Sequence, residues 1–294
     1  MLYDIQLRLT HEYDPPAQRG RHLLRLAPTQ ARAGQRLATC HIEVSPTPEE
    51  TGEWYDFFGN RVTDVRFKEA HARLDVQLRA RVERFAQDAQ GNSVALGEIN
   101  AALENVRSLE AGSPHHFLGA SGRTWPFSAA RDFALACTDL GMRADEALLR
   151  IGEALHREMQ FDATATEVDT PVEEAFARRA GVCQDISHVM IAALRGIGVP
   201  AGYVSGYLRT LPPPGQARLE GADAMHAWVR AWCGPDLGWI EYDPTNAKLA
   251  GEDHVVAAYG RDYGDVAPTI GALRGTGRQM AGHAVDVVPV QAGA

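Results

Sequence analysis

Along residues 1 to 85, apolar and polar side chains alternate in short runs: LYDIQLRL, HLLRLAP, LATCHIEVSP, RVTDVRF and ARLDVQLRARV. Turn-prone DPP, SPTPEETGE and FFGN separate them. A period of two puts successive side chains on opposite faces of a strand, so the runs predict half-buried antiparallel strands. The stretch from Val62 to Phe85 predicts a hairpin with KEAH as its turn. Together they predict an all-β, sandwich-like N-terminal domain over residues 1–86.

From 87 to 121 the period fades into GNSVALGEINAALENVRSLEAGSPHHFLGASG, a polar stretch that reads as a linker. Helical spacing then takes over. WPFSAARDFALAC suits a short helix, and ADEALLRIGEALHREMQF carries Leu148, Ile151, Leu155 and Met159 at steps of three and four. In TPVEEAFARRAG, Thr170 is placed to cap a helix, Pro171 to fill its first turn and Glu173 to return a capping-box bond, with Gly181 near the stop. Next, Ile186, Val189, Met190, Ala193, Leu194 and Ile197 form one apolar stripe that ends at GIGVP. Strand patterns AGYVSGYLR, HAWVRAWC and WIEYD follow, joined by LPPPGQARLEGAD and GPDLG. A helix followed by consecutive strands predicts an α+β domain over residues 122–294, with the helix packed on an antiparallel sheet.

Composition narrows the function classes. The 294 residues suffice for two cores. A net charge of −9 argues against a nucleic-acid or anionic-membrane surface, which needs clustered Lys and Arg. MLYDIQLRLTHEYDPP lacks the basic and apolar regions of a secretory signal, and no apolar run approaches the roughly 18 residues of a membrane span. A cytoplasmic protein is expected. Cys40, Cys137, Cys183 and Cys233 are widely spaced without a CxxC pair, which predicts reduced thiols. His115 and His116 are adjacent, His254 is isolated, and no zinc or EF-hand spacing occurs, so neither metal nor cofactor is expected.

The candidate chemistry centres on AGVCQDISHVMIAAL, which places Cys183 at the mouth of the striped helix. A thiol is a nucleophile as its thiolate, and the partial positive charge of a helix N-terminus stabilises that form. His226 in AMHAWVRAW and Asp243 in GWIEYDPTN follow on adjacent predicted strands, as an imidazole base and its orienting acid would. Each residue has a bland reading by itself: a buried thiol, a satisfied histidine, a turn aspartate. The combination carries the specificity. The backbone N–H of Cys183 is a natural oxyanion donor, and Gln184 is a candidate for the second. Trp228 and Trp239 can wall a groove or fill the core, and Arg261, Asp262 and Tyr263 can line the cleft or satisfy loop backbone. Asp185 and Glu173 read as helix-start charges, His188 as structural, and the loop Leu211–Gln216 as a border of the cleft.

These residues carry a resemblance. GVCQDISHVMIAALRGIGVPAGYVSGYL, then HAW, then GWIEYDPTN, and onward DHVVAAYGRDYGDVAPTIGALRG, resemble the transglutaminase-like superfamily of papain-like thiol enzymes. They are similar to its bacterial members often labelled as cysteine proteases, whose core also follows a β domain. The resemblance covers about residue 150 to the C-terminus. It implies Cys183 as nucleophile, His226 as general base and acid, and Asp243 as orienting carboxylate, acting on a protein or peptide substrate through an acyl-enzyme. Water as acceptor makes a protease or amidase, and is the favoured expectation; an amine acceptor makes a transglutaminase or acyltransferase. A catalytically silent binding module of the same fold is the third reading.

Overall fold

A computed structural model describes residues 1–30, 34–85, 90–210, 223–274 and 277–290; the loop Leu211–Gln216 lies outside the described residues. No helix among them is long and apolar enough to cross a membrane. The first strand, β1 (Leu2–Leu24), is the spine of the N-terminal sheet. Its early alternation buries Tyr3, Ile5, Leu7 and Leu9 and turns the residues between them outward. β2 (Gln35–Ser45), β3 (Glu50–Tyr55), β4 (Arg61–Phe67) and β5 (His71–Arg84) join it in the order β2-β5-β1-β4-β3.

The expected hairpin between Val62 and Phe85 does not form. β4 pairs Phe67 with Gly20, and β5 resumes with His71 opposite Ala17 and runs on to Glu83 opposite Leu2. KEAH is therefore a short interruption in one long strand that follows β1, and not a reversal. Alternation predicts strands but not partners, and the 23-residue β1 offers an edge long enough for both.

The stretch 87–121, expected as a linker, places α1 (Ile99–Glu104) and a 3₁₀ turn over Pro114–Phe117, and sends Ile99, Leu103 and Phe117 to buried positions. There follow α2 (Ser128–Cys137), α3 (Ala144–Glu158), β6 (Gln160–Phe161), α4 (Val172–Arg178), β7 (Ala180–Gly181) and α5 (Cys183–Gly196). Leu148, Ile151, Leu155 and Met159 are all buried, as their spacing requires. The capping box at Thr170 is not made. α4 starts after Pro171 without a side-chain cap, because Thr170 Oγ1 accepts the Glu167 N–H (2.8 Å) and Glu173 Oε1 accepts the Trp125 indole N–H (3.0 Å). Side-chain competition of this kind is what makes Ser and Thr caps ambiguous in sequence.

The second sheet comprises β8 (Ala201–Leu208), β9 (Ala224–Trp232), β10 (Trp239–Asp243), β11 (Lys248–Leu249) and β12 (His254–Gly260), in the order β11-β10-β9-β8-β12. β8 is buried at every residue, since α5 packs against it in one core while its Tyr207 joins the core of the N-terminal sheet. α5 is buried all round from Asp185 to Arg195, more than one stripe predicts, because α2, α3 and α4 cover the side away from the sheet. After α6 (Tyr263–Val266), the chain returns to the N-terminal sheet as β13 (Thr269–Arg274) and β14 (Arg278–Pro289), which pair along the other edge of β1. The result is a curled seven-stranded sheet closed by strands from both ends of the sequence.

Candidate active site

Cys183 is the first residue of α5, entered from the extended backbone of Val182. At this position its N–H lies outside the helical hydrogen-bond ladder and points with the positive end of the dipole. The entry is pinned by Asp185, whose Oδ2 accepts the Val182 N–H (2.8 Å) and the Thr166 hydroxyl (2.6 Å). Asp185 is thus a helix-start charge. The thiol is half-buried.

β9 brings His226 and β10 brings Asp243. Their antiparallel register sets Tyr242 opposite Val229, so Asp243, one residue on, reaches diagonally to His226, and His226 Nε2 lies 2.8 Å from Asp243 Oδ2. With Nε2 engaged, Nδ1 is the nitrogen left for the thiol. Burial depresses the His226 pKa, yet the Asp243 hydrogen bond, then the hydrogen bond and charge of Cys183, outweigh it and raise the group to about 9. The imidazole is therefore a cation at neutral pH beside the sulfur, the electrostatic partner that a thiolate needs. Asp243 is 0 % exposed. Burial alone would favour its acid form, but bonds from His226, His254 and Asn246 hold the carboxyl well below the ordinary range.

The structure thus gathers Cys183, His226 and Asp243. Other candidates lie elsewhere. Gln184 donates its amide N–H to Val168 O (3.0 Å), which ties down the preceding loop. Trp228 is fully buried beneath the site, its ring 6.2 Å from that of His226 and its N–H on Glu241 Oε2 (2.7 Å), so it is a floor and not an open wall. Arg261 pairs with Asp265 through Nε and a terminal nitrogen (2.8 and 3.0 Å). Asp262 is buried and accepts the backbone N–H groups of Arg123 (2.6 Å) and Gly264 (2.8 Å). Asp262 thus satisfies loop backbone at the start of α6, while Arg261 is tied to the Asp265 carboxylate of that helix. His188 is buried and accepts the Tyr263 N–H on Nε2 (3.1 Å), a structural contact.

Two neighbours of Asp243 were not read from the sequence. Asn246 donates to Oδ2 (2.7 Å) from the turn after β10, and His254 Nε2 lies 3.1 Å from the same oxygen. The Asn was legible in principle, since DPTN is an Asx-type turn. His254 was not, because it arrives through the pairing of β12 with β8.

Comparison with known proteins gives the family. Residues 131–244 match the transglutaminase-like superfamily core, and residues 3–83 match the bacterial transglutaminase-like N-terminal region. The chain belongs to the transglutaminase-like superfamily. It is 30% identical to an uncharacterized protein of Mycobacterium tuberculosis, over 87% of this chain and 83% of that one. To an uncharacterized protein of Mycobacterium leprae it is 28% identical, over 92% and 94%. A candidate cysteine protease from Cytophaga hutchinsonii shares the fold with a TM-score of 0.71 at 19% identity, over 100% of this chain and 92% of that one. Within this transglutaminase-like fold, the donor atoms of His226, Asp243 and His254 also converge within 4.8 Å, the span of a metal cage among the described residues. The hydrogen-bond pattern argues for a carboxylate cradle instead. His254 Nδ1 accepts the Gly251 N–H (3.2 Å), so Nε2 carries the proton and has no lone pair for a metal.

Proposed function

We infer that this transglutaminase-like protein is a thiol hydrolase that cleaves amide bonds of proteins or peptides through an acyl-enzyme on Cys183. One observation carries the reading: a cysteine at the first residue of a buried helix, facing an imidazole that a buried carboxylate keeps cationic at neutral pH. The thiolate attacks the carbonyl carbon, and its electron pair forms the C–S bond while the oxygen takes the charge. The Cys183 N–H is placed to receive that oxyanion. The proton on His226 Nδ1 then passes to the leaving nitrogen as the C–N bond breaks. A water, giving its proton to the same nitrogen, attacks the thioester carbonyl; the C–S bond breaks, the acid product leaves, and the thiolate–imidazolium pair is restored. Asp243 fixes the tautomer and the direction of the ring throughout. The description of the Cytophaga hutchinsonii protein as a candidate cysteine protease supports hydrolysis over transfer.

The test has two parts. Iodoacetamide labelling read by mass spectrometry at the Cys183 peptide should be fast below pH 7 in the native protein and slower by orders of magnitude in His226→Ala. Equal slow labelling in both would favour a silent module. Incubation of a glutaminyl peptide pool with and without a primary amine should yield free acid or cut backbone in both cases; amine-linked product as the main species would replace hydrolysis with transfer.

A further inference from the structure

The segment from Asp243 to His254 folds around a single carboxylate. Oδ1 receives the backbone N–H groups of Thr245 (3.0 Å) and Asn246 (3.1 Å), while Oδ2 receives the Asn246 amide (2.7 Å), His226 (2.8 Å) and His254 (3.1 Å). A carboxylate has about four lone-pair sites, so this one is saturated. The torsion that turns a carboxylate about its own axis is broad and is not set by the backbone. Its direction here is set by its donors.

His254 differs from the other donors in how it is held. The ring is 1 % exposed and stands edge-on to Trp228, centroids 5.2 Å apart at 75°. Because Nδ1 accepts the Gly251 N–H, the proton lies on Nε2 and faces Asp243. Burial, outweighing the pull of Asp243, moves this histidine below its ordinary pKa, so the donor is neutral. A cation in its place would cancel the charge that Asp243 lends to His226. A neutral N–H fixes the oxygen and leaves the charge. β12 delivers the ring next to the site because Gly206 of β8, which pairs with His226, lets the strands close up: a Cβ there would sit 2.1 Å from Val255 O and 2.6 Å from the Trp228 ring.

We propose that His254 is a positioning residue, a neutral Nε2–H donor that holds Asp243 in the orientation receiving His226, and so aims the imidazole at Cys183. The proposal rests on the thiol reading above, and its failure is separable from that of the reading. The probe is the rate of Cys183 carboxamidomethylation by iodoacetamide at pH 6, resolved by peptide, in native protein, His254→Phe, His254→Gln and His226→Ala. His254→Phe keeps a flat ring without the donor and should slow labelling roughly ten- to a hundredfold, the scale of a lost hydrogen bond to a charged group. His254→Gln returns an N–H near the Nε2 position and should come back to within about threefold of native. Thermal melts accompany each variant. A merely structural role predicts a lower melting temperature in both variants, with native labelling in the folded fraction, and this would overturn the proposal. Native-rate labelling in His254→Phe with slow labelling in His226→Ala would sink the proposal and spare the thiol reading; native rates in both would sink the reading as well. If His254→Phe does not fold, ring 15N NMR of the native protein still decides. The Nε2–H tautomer at His254 is expected, and the Nδ1–H tautomer would overturn the proposal.

Discussion

Two groups of buried histidines sit in the two sheets, and their fates diverge. In the N-terminal sheet, His22 is 2 % exposed, its ring 6.4 Å from that of His11 and 6.0 Å from Phe67, which in turn lies 4.7 Å from His71. Neither ring nitrogen of His22 has a hydrogen-bond partner among the described residues. Burial, then the neighbouring His11 and His71, push it down to about 4. His226 is buried too, and burial pulls it the same way, yet Asp243 and then Cys183 raise it to about 9. The same residue type is an inert filler where its nitrogens meet no partner, as at His22, and a cation at neutral pH where a carboxylate and a thiol flank it, as at His226. Asp243→Asn breaks that difference directly. The Asn keeps the shape but loses the charge, and its amide can donate to Nε2 and force the proton onto Nδ1. We expect turnover of a cleaved peptide to fall by about 10³- to 10⁴-fold, and Cys183 alkylation at pH 6 to fall with it. Retention of most activity would remove Asp243 from the mechanism.

The pair also predicts the shape of stability against pH. A histidine held at about 4 binds fewer protons folded than unfolded between about 4 and 6.5, so His22 makes stability rise with pH across that window. His188, likewise pushed down to about 4 by burial, acts in the same direction. His226 reverses the sign. Its stabilisation is full below about 6.5 and is lost as pH climbs through about 9. Melting temperature should therefore peak near neutrality. His22→Leu sharpens the contrast by replacing two unpartnered nitrogens with a filler of similar size. It should flatten the acid limb and raise the melting temperature at pH 5 by about 2–6 °C, while leaving the alkaline limb and Cys183 labelling unchanged. A variant less stable at pH 5 would mean that His22 has a partner worth keeping.

The legibility of each part follows from the range of the interactions that make it. Alternation in β1 and the three- and four-residue spacing in α3 are local, so the half-buried strand in LYDIQLRL and the apolar stripe of Leu148 and Ile151 could be read from sequence. Pairing is not local. Nothing in RVTDVRFKEAHARLDV distinguishes a hairpin from a strand that pauses and continues along β1. The all-round burial of α5 was hidden for the same reason, since Ser187 and Arg195 lie off the apolar stripe until α2, α3, α4 and the sheet enclose them. Arg195 spends its guanidinium on the carbonyls of Ala201, Gly119 and Arg261, a clamp that no spacing rule anticipates. The placement of Cys183, His226 and Asp243 was legible because each carries its own local setting: a helix start, a strand, and a strand end before proline. Their supports, Asn246 and His254, belong to the way the chain closes around them.

The smallest expected effect is at the residue next to the thiol. Gln184 is adjacent to Cys183 in sequence, and an amide there serving as oxyanion donor would cost about 10²- to 10³-fold in turnover when removed. Its N–H instead goes to Val168 O at 3.0 Å, so the group is committed to a loop carbonyl in the resting protein. Gln184→Ala should then change turnover and Cys183 labelling by less than about threefold and cost about 0.5–1.5 kcal/mol of stability, the net worth of an ordinary hydrogen bond. The two histidine clusters argue that the partner, rather than the location, decides what a side chain does. Gln184 extends that argument to the active helix itself. A hundredfold fall in turnover with unchanged labelling would show that the amide leaves Val168 when substrate arrives, and partnership in the resting state would no longer be a guide to function at this site.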